Sequence, residues 1–81
     1  MADLAPRLVV CFRTVFPELP VAAIPAAEQS RVPTWDSLAT INLAAVIEEE
    51  FRVRLDYDRL EYWTSFESVA NHLKEILAVS S

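Results

Sequence analysis

Asp36-Ser37-Leu38 stands at the head of a predicted helix, where a serine side chain is free to do chemistry. Unpaired amides and the helix dipole favour an anion at such an end, so a phosphodiester on Ser37 would be held there at little electrostatic cost. Serine and aspartate are also common helix caps, and on the tripeptide alone that plainer role is the better reading. Other chemistry is scarce. His72, the only histidine, falls among Asn71, Lys74 and Glu75 on the polar side of a last helix and reads as solvated. Cys11 lies on an apolar stripe and reads as a small core residue. The chain has no glycine, which excludes a Gly-x-Ser-x-Gly elbow and a phosphate-cradling glycine loop. One cysteine and one distant histidine cannot make a zinc site. Glu48-Glu49-Glu50 has no partners for metal or acid–base work and reads as a wet helix face. A hydrolase built on Ser37 would lack both base and oxyanion motif, so no enzyme is expected.

Three principal helices must position these residues. Leu4, Leu8, Cys11, Phe12, Val15 and Phe16 recur at helical spacing; Asp3 can cap that helix, Pro6 is tolerable in its first turn, and Pro17 should end it near Phe16. Residues 17–36 hold four prolines and no sustained period, long for a connection and suggestive of a functional loop or an added short helix. Leu19, Val21, Ile24 and Val32 are expected to pin that stretch across the core. A second helix runs from Asp36-Ser37 to Phe51. A short turn is predicted over Asp58–Trp63. Thr64-Ser65-Phe66-Glu67 fits a capping box, opening a last helix with Phe66, Val69, Ala70, Leu73, Ile76 and Leu77 on one side. Without glycine, a left-handed turn position falls to Asn, Asp or a strained residue.

The 81 residues make one domain, 1–81, and 53% hydrophobic content suffices for one core of modest stability, ~5 kcal/mol. No apolar run reaches the ~20 residues of a membrane span, and Met1-Ala2-Asp3 lacks the features of a signal peptide. The single cysteine suits a reducing compartment, so a cytoplasmic monomer is expected. The net charge of −5 is concentrated after residue 36, where eight acids face four bases. Such a surface disfavours nucleic acid and suits a basic protein partner, although the charge would also serve solubility alone.

Helix 2 is apolar on two sides. Leu43, Ile47 and Phe51 fall within about 80° of arc, with Thr40 and Ala44 beside them, and form the inward stripe. Leu38, Ile41, Asn42, Ala45, Glu48 and Glu49 gather on the far side, with Arg52 at the edge. Either the helix is buried nearly all round, or this second side is a docking surface; the glutamates at its far end favour docking.

Thr34-Trp35-Asp36-Ser37-Leu38, the helix behind it and its ending Ile47-Glu48-Glu49-Glu50-Phe51 resemble the attachment motif and second helix of acyl carrier proteins. The likeness runs through Leu55-Asp56, Leu60, Thr64 and the last helix, covering residues 34–77 well and residues 4–33 only by helix pattern and loop length. It implies an all-α, small four-helix bundle with three main helices and a short third one. It implies that Ser37, preceded by Asp36, carries 4'-phosphopantetheine, added from coenzyme A by a phosphopantetheinyl transferase. The thiol of that arm, charged by a loading ligase, would hold an acyl group as a thioester and offer it to a ketosynthase or acyltransferase that reads helix 2. An aminoacyl or peptidyl cargo, and an unmodified interaction bundle that keeps the carrier fold, are the alternatives. Thr34 replaces the family's usual glycine, Trp35 sets a large ring before Asp36, Asn42 stands where an acid is common, and Arg52 and Arg54 add positive charge. These departures favour a carrier dedicated to one pathway over general fatty acid synthesis.

Overall fold

A computed structural model describes residues 4–80, with side chains to residue 78. Three α-helices, α1 (Leu4–Val15), α2 (Ser37–Phe51) and α3 (Phe66–Ser80), alternate with 3₁₀ segments at Val21–Ala26, Gln29–Arg31 and Tyr57–Tyr62. The chain is all-α, and no strand occurs among the described residues. The buried side chains form a single cluster that takes in all three helices and the long first connection.

In α1 the apolar stripe buries Leu8, Cys11, Phe12 and, just past the helix, Phe16. Pro17 stops the helix there, because its ring disfavours helical backbone in the residue before it. Asp3, expected as the cap, lies outside the described residues. The first connection crosses the core as expected through Ile24 and Val32, with Leu19 partly buried. Val21 is a correction: it is half exposed at the start of a 3₁₀ segment, and Ala27 and Trp35 occupy core positions instead. Two backbone bonds fasten this connection to the head of α3, from Gln29 N–H to the Thr64 carbonyl (2.8 Å) and from Phe66 N–H to the Ala27 carbonyl (3.0 Å).

α2 buries Leu43, Ile47 and Phe51 together with Ala39, Thr40 and Ala44. Its C-terminal cap is Arg52, at φ 57° and ψ 48°, the one described residue in the left-handed region. An arginine there costs about 1 kcal/mol relative to glycine. The same helix end is held from α1: Arg7 donates to the Glu50 carbonyl (2.6 Å) and carboxylate (3.0 Å), and its guanidinium lies 4.5 Å from the centre of the Phe51 ring. A cation placed on the last carbonyls complements the helix dipole and offsets the cost of the cap.

The capping box of α3 is shifted by one residue from the expected one. Ser65 Oγ accepts from Ser68 N–H (3.0 Å), while Ser68 Oγ accepts from the amides of Thr64 and Ser65 (both 3.1 Å) and donates to the Ser65 carbonyl. Serine's short side chain reaches back where glutamate was expected, and Glu67 stays exposed. Ser68→Ala should therefore lower stability by about 1–2 kcal/mol in urea titration. Glu67→Ala should change it by no more than about 0.5 kcal/mol. Equal losses would return Glu67 to the cap.

Candidate functional site

Asp36 decides where α2 begins. Its backbone is extended (φ −114°, ψ −171°), and its Oδ1 accepts the Ala39 amide at 2.9 Å. Ser37 is thus the first helical residue and not the cap. Its side chain is exposed, and no described residue hydrogen-bonds its hydroxyl. The Asp36 carbonyl takes the Thr40 amide (3.0 Å). The amides of Ser37 and Leu38 are left without a partner among the described residues, aimed out of the helix end where an anion would rest.

The residue before the cap is buried. Trp35 packs edge-on against Phe12 and tilted against Phe16, each at 5.5 Å between ring centres. Its indole N–H donates to Thr40 Oγ1 at 2.9 Å, and Thr40 Oγ1 donates to the Asp36 carbonyl at 3.0 Å.

Beside Ser37 opens a pocket of about 290 Å³ between α2 and the 3₁₀ segment Tyr57–Tyr62. Thr40, Ile41, Leu60 and Trp63 line it, with Gln29, Tyr57 and Glu61 at polar positions. Sequence reasoning missed Gln29, Tyr57, Glu61 and Trp63. The sequence predicts a short helical turn over Asp58–Trp63, but nothing in the residues places it against Ser37.

The far side of α2 is open to solvent. Leu38 is 66% exposed and Ile41 48% exposed, and Asn42, Ala45, Glu49 and Arg52 are exposed beside them. Glu48 is a correction to this group. It is half-buried, and its carboxylate is engaged by the Leu55 amide (2.9 Å) and the Tyr57 hydroxyl (3.0 Å). It anchors the chain leaving α2 and is not a free rim charge. Glu50, paired with Arg7, is likewise no idle wet residue.

Cys11 is buried in the core, and burial first, then the Glu50 charge, pushes its thiol up to about 11, so almost no thiolate forms near neutrality. No group of side chains suited to a metal occurs among the described residues, and no described helix is long and apolar enough to cross a membrane. No family model, no curated protein and no solved structure matches the chain.

His72 is not the solvated residue expected. Half-buried, it stands edge-on to Trp63 (5.9 Å between ring centres), and its Nδ1 accepts the Trp63 indole N–H at 2.8 Å. An indole nitrogen only donates, so this contact needs a neutral imidazole with its proton on Nε2. Burial first, then the Arg59 charge, holds the imidazole below its ordinary value, with Glu75 and Asp56 pulling the other way. The unfolded chain therefore takes up the proton more readily than the folded one. The stability that His72 confers is present above pH 6.5, its ordinary value, and is lost as pH falls through the lower folded value. Thermal melts from pH 8 to 5 should show that loss in the wild type and not in His72→Gln. Identical profiles would mean that the Trp63 contact does not sense protonation.

Proposed function

We propose that this chain is a carrier protein of the acyl carrier type, with the corresponding four-helix fold, the segment Tyr57–Tyr62 serving as its short third helix. The observation that carries the reading is Ser37: an exposed, unbonded hydroxyl at the first position of a helix capped by Asp36, inside the Thr34–Leu38 motif. In the transfer that loads it, Ser37 Oγ forms an ester bond to the phosphorus bearing the pantetheine half of coenzyme A. The bond from that phosphorus to the bridging oxygen breaks, the adenosine bisphosphate leaves with the bond's electrons, and the serine proton passes to a base of the transferase. The new phosphodiester then lies at the free amides of Ser37 and Leu38, which favour its charge.

The chain itself makes and breaks no bond of the cargo. An acyl thioester on the arm is presented to a ketosynthase or acyltransferase after loading by a ligase, in the cytoplasm. The pocket beside Ser37 offers Ile41, Leu60 and Trp63 to an apolar cargo. An aminoacyl cargo is the second reading, favoured by the Glu61 carboxylate on the wall of the same pocket. Partners dock on Leu38, Ile41, Asn42, Ala45, Glu49 and Arg52, where an apolar centre is ringed by polar groups.

Coenzyme A and a broad-specificity phosphopantetheinyl transferase should add one phosphopantetheine to the wild type and none to Ser37→Ala. That variant should keep its stability within about 0.5 kcal/mol, because Asp36 and not Ser37 is the cap. An unmodified wild type, or a modified Ser37→Ala, would overturn the reading. Leu38→Ala should raise the KM for the carrier by a factor of about 5–30, from ~1–2 kcal/mol of lost apolar contact. Unchanged kinetics would move the docking surface off this side of α2.

A further inference from the structure

We propose that Trp35 and Thr40 are positioning residues for the transfer to Ser37, an inference that rests on the carrier reading. The two carbonyls preceding Ser37 are each held by a side chain. Gln29 Nε2 donates to the Trp35 carbonyl at 3.3 Å, and Thr40 Oγ1 donates to the Asp36 carbonyl at 3.0 Å. Thr40 is oriented in turn by the Trp35 indole N–H at 2.9 Å. A threonine hydroxyl has one proton to give, and the indole, which can only donate, forces that proton toward Asp36.

The relay is shielded from water. Trp35 is 3% exposed and Thr40 7% exposed, the one polar residue buried among those described. The indole is seated against Phe12 and Phe16 of the α1 region, so the attachment segment takes its place from the aromatic core as well as from its own backbone bonds. Thr34 ties the outer edge of the same segment by donating its hydroxyl to the Glu18 carboxylate. A phenylalanine at position 35 would keep an aromatic ring against Phe12 and Phe16 but could not set the Thr40 hydroxyl. Filling the core thus explains the ring, and placing the Asp36–Ser37 peptide explains the nitrogen.

Transfer requires Ser37 Oγ to approach the phosphorus in line while the phosphoanhydride bond to the adenosine half breaks and the serine proton leaves to the transferase. A nucleophile misplaced by a fraction of an ångström loses rate and not affinity. The docking residues Leu38, Ile41 and Glu49 are not part of the relay.

The test is steady-state transfer from coenzyme A by a broad-specificity transferase, with the full chain as substrate. Thr40→Val and Trp35→Phe should each lower kcat about tenfold, the worth of one buried hydrogen bond, with KM within about twofold. The double variant should be no slower than either single one, and Thr40→Ser should restore the rate. Exchange of the Trp35 indole proton, slow in the wild type, should become fast in Thr40→Val. Wild-type kcat in Thr40→Val or Trp35→Phe would overturn the inference while leaving the carrier reading intact. So would a loss that appears in KM, or one that Thr40→Ser fails to rescue. A wild type that takes no phosphopantetheine defeats the carrier reading itself, and a native indole signal in that protein shows that misfolding was not the cause.

Discussion

The Asp36 carboxylate accepts the Ala39 amide, and that bond fixes where α2 starts, which backbone groups face water and which residue follows the cap. An Asp that must be extended to cap cannot also be helical, so Ser37 becomes the first residue of the helix with its side chain outside the core. Everything proposed about function depends on that placement. Were Ser37 the cap, its oxygen would accept a backbone amide and be turned toward the helix end, a poorer nucleophile. The cap is held in turn from the core side, since Trp35 buries its ring one residue earlier and Thr40 bonds back to the Asp36 carbonyl.

A chain without glycine has to hold its turns by side chains. At the C-terminus of α2 the left-handed position is filled by Arg52, and Arg7 reaches across from α1 to satisfy the Glu50 carbonyl. The exit from that helix is secured by Glu48, which binds the Leu55 amide and the Tyr57 hydroxyl. That one residue connects α2 to the segment that walls the pocket beside Ser37. Trp63, on the same wall, is tied to α3 through His72, so the pocket is framed by hydrogen bonds as well as by packing.

Much of this was legible in the residues. The stripe Leu43, Ile47 and Phe51 at a spacing of four gave α2 its inward face, and Leu38 and Ile41 fell opposite because the period leaves them nowhere else. What stayed hidden was decided by contacts distant in sequence. Trp35 follows Pro33-Thr34 with no period around it, so nothing local marks it as core. Val21 was apolar enough to be read as a pin, yet Ile24, one 3₁₀ turn later, takes the buried place. His72 sits on the polar side of α3 by periodicity, and only the arrival of Trp63 from the preceding segment makes it an acceptor. Glu48 looked free because its partners lie beyond the helix, in a stretch with no regular pattern.

The most direct measurement is the intact mass, with the modified residue mapped by fragmentation, of this chain purified from a cell able to make the cargo. The account predicts a single phosphopantetheine on Ser37, with or without an acyl group on its thiol, and an unmodified chain when position 37 is alanine. A purified chain that carries no phosphopantetheine although the cell's transferase loads other carriers, or one that carries it at another residue, would contradict it.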